Sequence, residues 1–383
     1  MRCRVRNRIL PPMAFRVVIA GGGVAGIEAA LALRALAADL VSVELVSPEP
    51  EFAYRPLSVS EPFGHGHAHM VDLRAIAEDV GADLRIAGLT GVDGQGSLAL
   101  LDDGTSLEYD ALVIATGTRL IAAVPGALTF AGVGEVDAFR RLLDEIDAGE
   151  VASVVFAVPH GVTWPLPLYE LALMTARRPA KHRAALTVVT PEDGPLDVLG
   201  PAAARAVAEL FTEHGIELHT GVLPIGVEEG RLTLAPEGDV KADRFVALPE
   251  QRGIELRGVP HVPGGFIPVD EHGRVREMRN VFAAGDITSY SVKQGGIAAQ
   301  QADAVAEVIA AQAGAAVLPE PFRPVLRSVL LTGNGPRYLS SRLREGKELS
   351  SVATTQPFWS PPDKIAAPFL APYLARRIEG TLR

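Results

Sequence analysis

The feature that most constrains the fold is a glycine-rich turn near the start of the chain. Residues 17–34 read VVIAGGGVAGIEAALALR, an apolar strand followed by glycines and an Ala/Leu-rich helix. Gly21, Gly23 and Gly26 have the GxGxxG spacing. We expect a tight turn at Gly21, close approach of a pyrophosphate at Gly23, and close packing of the helix on the strand at Gly26. Because the first amides of a helix favour negative charge, the turn predicts a bound dinucleotide.

Two later segments repeat the pattern of an apolar strand that ends in a polar turn. Residues 110–119, DALVIATGTR, run into Thr116 and Gly117, and residues 280–288, NVFAAGDIT, end in Gly285 and Asp286. With these three motifs in this order, residues 15–310 resemble the FAD-dependent pyridine nucleotide-disulfide oxidoreductase superfamily.

The resemblance implies FAD as the cofactor and an α/β fold with two Rossmann-like dinucleotide-binding domains, the FAD domain being discontinuous. It places the three glycines at the pyrophosphate, the turn of Thr116 and Gly117 beside the cofactor, and Gly285 and Asp286 at its ribityl or phosphate end. The second strand should end near an acid that binds the adenosine ribose, about 20 residues past the glycines. We favour Glu49 over Glu44, because Glu44 falls inside the strand.

Charge and cysteine content narrow the function. The 383 residues include 36 Lys plus Arg and 46 Asp plus Glu, a net charge of -10, which argues against a nucleic-acid partner. The single cysteine, Cys3, cannot form a redox disulfide within the chain, so we expect no thiol chemistry and assign the reaction to the flavin. The chain resembles the type II NADH dehydrogenase and sulfide:quinone oxidoreductase branch of this superfamily, but without redox cysteines. We expect a cytoplasmic location, because no secretory signal is visible.

The order of patterns predicts four parts. Residues 1–13 are expected to be a disordered leader, with Met13 as the natural start. Residues 14–123 and 265–315 form the predicted FAD-binding domain, and residues 124–264 a second unit in which strands and helices alternate. In this unit we predict strands at 154–158, 185–190 and 216–219 and helices at 168–177 and 202–214. Residues 316–383 form a small C-terminal α+β unit, in which VLRSVLLTG and RYLSSRL predict a hairpin.

The second α/β unit lacks the glycine loop with which relatives bind NAD(P)H. After the strand at 154–158 the chain reads PHGVTWPLPLYE, with one glycine where three are expected. Side chains and proline rings there keep amides away from a pyrophosphate. Two readings stay open: the unit binds NAD(P)H in a modified way, or it forms a substrate or acceptor pocket with His160 and Trp164. A rigid, packed helix entry explains the same prolines.

Four residues are candidates for a catalytic or electrostatic role beside the flavin. Tyr169-Glu170-Leu171-Ala172 resembles a run in type II NADH dehydrogenases, which implies that Glu170 lies near the flavin and relays protons. An ordinary first-turn glutamate, favoured by the helix dipole, explains the same residue, and we prefer this explanation. Arg55 follows the second strand and is expected at a phosphate or the ring edge. Lys293 and the amide region of Gln294 open a helix after Asp286, where they would stabilise negative charge on the N1 and C2 side of the flavin.

Two tracts receive a structural interpretation. The alternating histidines His65, His67 and His69 have no acid or cysteine partner at a recognised spacing, so we expect a solvated loop and no metal.

The segment DKIAAPFLAPYLARRI near the C-terminus is apolar, and quinone-reducing relatives use such segments on the inner face of a membrane. Packing onto the body, or onto the second copy of a homodimer, explains it as well, and we favour packing. No apolar stretch is long enough to span a membrane.

Together these patterns predict an FAD-dependent oxidoreductase. The favoured donor is NAD(P)H, and the favoured acceptor is a quinone or another small oxidant. One alternative keeps FAD but uses a non-nicotinamide reductant in the second unit. The other is a flavin-binding protein without turnover that acts in electron transfer or sensing.

Overall fold

The computed structural model describes residues 14–66, 68–344 and 347–381. The leader with Cys3 and Met13, and the central histidine of the histidine tract, His67, lie outside the described residues. The helices within the described part of the chain are α1 Val24–Ala37, α2 Leu73–Val80, α3 Val136–Ala148, α4 Leu166–Arg177, α5 Pro201–Glu213, α6 Gly295–Gln312 and α7 Leu370–Thr381.

The strands fall into three groups along the chain. The first group is β1 Phe15–Ala20, β2 Val41–Ser47, β3 Glu51–Ala53, β4 Met70–Asp72, β5 Asp83–Ile86, β6 Leu89–Asp93, β7 Leu98–Leu101, β8 Ser106–Glu108, β9 Ala111–Ile114 and β10 Arg119–Ala122. The second is β11 Leu128–Thr129, β12 Ser153–Ala157, β13 Ala185–Val189, β14 Ile216–His219, β15 Leu223–Glu228, β16 Arg231–Ala235, β17 Asp239–Lys241, β18 Arg244–Ala247 and β19 Pro249–Arg252. The third is β20 Val281–Ala283, β21 Val325–Leu330, β22 Arg337–Arg344 and β23 Lys347–Thr354.

The first parallel sheet has the strand order β20-β9-β1-β2-β5. The strand β9 is buried on both faces, because α1 and α6 cover one face of the sheet, and the antiparallel strands β6 to β8 together with residues 256–275 cover the other. Alanine-rich faces of α1 and α6 meet in the same core cluster. The late strand β20 pairs with β9, so the chain returns to this sheet after forming the second unit. This return brings the turn after β20 beside the turn after β1.

The second parallel sheet has the order β11-β18-β12-β13-β14. The predicted strands and helices of this unit are all present, with ends within two residues of expectation. The helix expected to begin at Leu168 begins at Leu166, because proline is compatible with a first helical turn that needs no internal amide donor. The expected α/β class with two Rossmann-like units is confirmed.

The C-terminal part contributes a three-stranded antiparallel sheet, β21-β22-β23. The predicted hairpin at Gly333-Asn334-Gly335 is present, and β23 extends it. Leu326, Leu330 and Leu339 of this sheet share a core cluster with α4 and α5. By contrast, α7 packs on the first unit, where Leu370, Tyr373 and Leu374 are buried. The apolar residues near the C-terminus are therefore used for packing on the body.

Candidate active site

The glycine turn has the geometry that the spacing predicts. The N–H of Gly21 donates to the carbonyl of Val46 (2.7 Å), and the φ of Gly21 is +133°. A Cβ on Gly21 would lie 2.1 Å from the carbonyl oxygen of Ala115, and one on Gly26 would lie 1.8 Å from that of Gly21. A Cβ on Gly23 would meet nothing within 4 Å. Gly21 and Gly26 are therefore needed for packing, whereas Gly23 borders open space at the start of α1.

The two other turns meet this one at the carboxyl ends of β9 and β20. Thr116 carries a buried hydroxyl without a hydrogen-bond partner in the protein. Gly285, with a φ of +82°, donates its N–H to Oε1 of Gln301 (2.8 Å). Asp286 accepts a hydrogen bond from Nε2 of Gln251 (3.2 Å), and burial raises the pKa of Asp286 against the opposing charges of Lys293 and Arg55.

These turns fit the FAD that the sequence implies. The start of α1 has no side-chain cap, so its first amides are available to a pyrophosphate. An unpartnered buried hydroxyl such as that of Thr116 calls for a hydrogen-bond partner that the protein does not supply. Both features lie along the edge where ligands bind in open α/β sheets. The individual cofactor contacts remain predictions.

The acids of the second strand are placed differently from each other. Glu44 pairs with Arg85 (Oε1 to Nε, 3.1 Å) and is thus engaged within the sheet. Glu49 is exposed just beyond the strand, and its carbonyl accepts a hydrogen bond from Oγ of Ser47 (2.8 Å). Ser47 in turn lies against Gly22 of the glycine turn. The ribose contact of Glu49 stays a prediction, and Glu44 has a structural partner.

A cavity of about 250 Å³ lies where the two α/β units and the C-terminal segment meet. The first unit contributes Arg55, Asp286, Lys293 and Gln294 to its wall, and the second contributes Trp164 and Glu170. Its apolar lining includes Val59, Leu120, Phe130, Val162, Leu166, Leu248 and Ile365. The structure thus brings together most candidates for chemistry beside the flavin. His160 is exposed and does not line this cavity.

Lys293 is held by backbone carbonyls and an aromatic ring. Its Nζ donates to the carbonyls of Thr288 (2.5 Å) and Tyr290 (2.7 Å) and lies 4.1 Å from the ring centre of Phe266. Burial lowers the pKa of Lys293 to about 8, although the charge of Asp286 opposes the shift. A lysine in this state combines a positive charge with a proton that it releases near neutral pH.

The side chain of Gln294 caps α6. Its Oε1 accepts the N–H of Ile297 (2.9 Å), and its Nε2 donates to the carbonyl of Arg327 (3.0 Å). Any contact of Gln294 with the flavin therefore rests on its backbone, as the sequence-based interpretation proposed for this region.

Glu170 forms a buried ion pair that the sequence did not reveal. The Nζ of Lys364 lies 2.8 Å and 2.7 Å from its two carboxylate oxygens, and the N–H of Leu331 donates to Oε1 (2.8 Å). The side chains of Glu170 and Lys364 are 0% and 8% exposed. Burial raises the pKa of Glu170, while the charge and hydrogen bonds of Lys364 and the N–H of Leu331 oppose the shift. Both residues line the cavity.

The turn after β12 offers few donors to a phosphate. Pro165 and Pro167 have no N–H, and the N–H of Leu168 is bound to the carbonyl of Pro165 (3.0 Å). Trp164 lines the cavity.

The acid at the end of β13 is also engaged. In a unit of this kind, that position is where an acid binds the ribose of a nicotinamide dinucleotide. Glu192 accepts hydrogen bonds from the hydroxyls of Tyr169 and Thr190 and from the N–H of Asp197 (3.1 Å). Tyr169 is 0% exposed and packs edge-on against Phe211, with 5.7 Å between ring centres. The hydroxyl of Tyr169 thus already hydrogen-bonds the carboxylate that would be needed to bind the ribose of a dinucleotide.

Sequence reasoning missed Lys364, Tyr169 and Glu192 as members of the site. Glu192 could have been found from the sequence, because alternation along β13 indicates where the strand ends and Glu192 is the acid just beyond that end. Lys364 has no such signal, because it meets Glu170 from 194 residues away in the chain.

The described residues contain neither a metal-binding cluster nor a membrane-spanning helix. Among them, no three or more His, Cys, Asp and Glu side chains are grouped so as to hold a metal ion. Within the same part of the chain, no helix has both the length and the apolar character needed to cross a bilayer.

Comparison with known proteins agrees with this geometry. The profile of the family described as pyridine nucleotide-disulphide oxidoreductase matches residues 15–306. The chain is 29% identical over 299 residues to the sulfide-quinone reductase of Aquifex aeolicus, covering 72% of this chain and 69% of that protein. It is also 29% identical over 331 residues to a benzene 1,2-dioxygenase system ferredoxin–NAD(+) reductase subunit of Pseudomonas putida, covering 78% and 75%.

A solved structure extends the likeness to the C-terminal part. The sulfide:quinone oxidoreductase of Aquifex aeolicus superposes with a TM-score of 0.80, at 22% identity, over 96% of this chain and 90% of that chain. At this level of identity the match concerns the fold.

Proposed function

The chain belongs to the pyridine nucleotide-disulphide oxidoreductase family and is an FAD-containing oxidoreductase, and we propose that it passes two electrons from a reductant to a quinone or a similarly flat small acceptor. The observation that carries this proposal is the Glu170–Lys364 pair, buried in the wall of an apolar cavity that also contains the flavin-side residues. FAD, when bound, supplies the two-electron chemistry.

The cavity suits an acceptor that needs protons as well as electrons. Reduction of a quinone to a hydroquinone takes up two electrons and two protons, so a proton donor beside it is required. Glu170 has a raised pKa and contacts Lys364, so its carboxyl group can give up and regain a proton while Lys364 stabilises the charged form. Trp164 and the aliphatic lining exclude water from the acceptor.

NAD(P)H is the donor that the relatives favour, because one of them is named a ferredoxin–NAD(+) reductase subunit. A second candidate donor is a small reductant without a nucleotide. Two observations favour it: prolines remove amides from the start of α4, and Glu192 is already bound by Tyr169. The two donors are distinguished by experiment.

The donor test mixes the FAD-loaded protein with NADH or NADPH under anaerobic conditions and follows the visible flavin absorbance. Rapid bleaching supports NAD(P)H, and Glu192→Gln is the control, because a dinucleotide bound at this acid should respond to that variant. Bleaching by dithionite but by neither nucleotide supports a non-nucleotide donor.

The acceptor test compares reoxidation of the reduced protein by a short-chain quinone and by ferricyanide, which accepts electrons without protons. Glu170→Gln should slow the quinone reaction by about 100-fold or more, as expected for general acid catalysis, and leave the ferricyanide reaction unchanged. Equal effects on both would contradict the role of Glu170. Failure of the reduced protein to react with any acceptor would instead favour a flavin protein without turnover.

A further inference from the structure

A buried carboxylate on α1 has no role in the site described above. Glu28 lies two residues beyond Gly26 and is 0% exposed. Its Oε1 accepts the N–H of Phe369 (3.0 Å), and its Oε2 accepts the N–H of Leu370 (2.5 Å). These amides open α7, and the first amides of a helix have no partner within that helix. Glu28 therefore caps α7 from 341 residues away in the chain.

The segment that Glu28 holds also supplies the cation of the cavity. The N–H of Ile365 donates to the hydroxyl of Tyr54 (3.2 Å), and Lys364 next to it binds Glu170. Only five positions separate Lys364 from Phe369, a reach of at most about 18 Å in an extended chain. The start of α7 and Lys364 therefore belong to one short segment of the chain.

The other attachment of α7 is more exposed. Oδ2 of Asp79 accepts the hydroxyl of Tyr373 (2.8 Å) and contacts Nη2 of Arg377 (2.5 Å). The side chains of Arg377 and Asp79 are 35% and 46% exposed, and exposed ion pairs contribute little. Glu28 thus provides a buried polar attachment for the start of α7.

We propose that Glu28 is a positioning residue, which by capping α7 holds residues 363–377 on the first unit and so keeps Lys364 on Glu170. The structural part of this proposal stands on the contacts above, and only its kinetic part rests on the proposed function.

A second acid, Asp303 on α6, acts on the carboxylate of this cap. Burial, and after it the charge of Glu28, raises the pKa of Asp303 to about 8, with Glu307 on α6 adding to the shift. Burial likewise raises the pKa of Glu28, while the N–H groups of Phe369 and Leu370 oppose it. The raised pKa of Asp303 favours its protonated form at neutral pH, beside the carboxylate of Glu28. Three other titratable groups between α7 and the first unit, Asp79, Tyr373 and Arg377, lie at the opposite end of that interface from Glu28.

The sign of the pH dependence follows from the raised pKa values. A carboxyl group whose pKa is raised on folding stabilises the folded state at low pH, and this contribution is lost as the pH rises through the raised value. Ionisation of Asp303 places a second negative charge beside Glu28. The C-terminal segment should therefore loosen as the pH rises towards and beyond about 8.

The test is hydrogen exchange of the FAD-loaded protein, read in peptides that cover residues 363–368 and 369–377 and corrected for the intrinsic effect of pH. Glu28→Ala should speed exchange in both peptides by at least about tenfold, because two charge-assisted bonds are lost. Glu28→Gln keeps one acceptor oxygen and should give an intermediate rate. Asp303→Asn, whose amide donates as a protonated acid does, should remove the rise in exchange on going from about pH 6.5 to 8.5.

The matched control is Asp79→Asn, which should affect only the later peptide. Faster exchange in residues 369–377 of Glu28→Ala, with residues 363–368 still protected, would reduce Glu28 to a local cap and overturn the proposal. In the quinone assay, the effects of Glu28→Ala and Lys364→Met should be less than additive and absent with ferricyanide, whereas additive effects would contradict positioning. A protein inactive with quinones, with exchange as expected, would refute the proposed function and leave the positioning role supported.

Discussion

Replacing Lys364 with methionine removes one member of the buried ion pair and preserves most of its volume. The Nζ lies 2.7 Å and 2.8 Å from the carboxylate oxygens of Glu170. At an effective dielectric constant of about 20, charges at this distance attract by about 6 kcal/mol, and desolvation offsets much of this. In Lys364→Met, the N–H of Leu331 would be the hydrogen bond to Glu170 that remains. We expect a loss of about 3–5 kcal/mol in the free energy of unfolding while Glu170 is charged.

The loss should depend on pH in a definite direction. Lys364 is the main influence that opposes the burial-raised pKa of Glu170, so its removal raises that pKa further. A carboxyl group with a raised pKa destabilises the folded state increasingly as the pH rises. Lys364→Met should therefore lose most at about pH 8.5 and less at about pH 5.5, where protonation neutralises Glu170.

Urea unfolding at several pH values, with saturating FAD, measures this effect. The control is the double variant Glu170→Gln/Lys364→Met, which contains neither charge and should recover about 2 kcal/mol relative to Lys364→Met at about pH 8.5, with little pH dependence. A loss below about 1 kcal/mol at high pH, or an equal loss at both pH values, would refute the reasoning.

Three further outcomes are expected. Gly23→Ala should leave the apoprotein stable but weaken FAD binding by at least about tenfold in an equilibrium titration. Gly26→Ala places a Cβ 1.8 Å from a carbonyl oxygen and should therefore lower the melting temperature of the apoprotein. Equal melting temperatures for the two variants would contradict this reasoning. Because the pKa of Lys293 is lowered to about 8, the wild type should lose stability relative to Lys293→Met as the pH falls from about 10.5 to 8. Chemical denaturation at several pH values measures this difference, and a difference that does not change with pH would contradict the prediction. Tyr169→Phe should cost about 1–3 kcal/mol in urea unfolding, because Glu192 loses a buried hydrogen bond, and a change below about 0.5 kcal/mol would count against that contact.

The fold could be predicted in detail where neighbouring residues carry the information. Hydrophobic periodicity and turn chemistry located the strands and helices of both units, and β14 begins and ends where expected. The start of α4 was less accurate, because a proline is compatible both with a helix start and with the residue before one. The strand β23 was not predicted, since the short polar run that forms it becomes a strand by pairing with β22.

The sequence by itself determined the cofactor turn of Gly21, Gly23 and Gly26, the family, and the order of the units, because each depends on contiguous residues whose spacing has one structural solution. Tertiary structure alone decided which charges meet. Glu170 could be named from its own helix, but its partner Lys364 is 194 residues away, and the amides that bind Glu28 are 341 and 342 residues away. No local pattern marks such pairs, because a buried charge is stabilised by whichever donor the packing of distant segments brings to it.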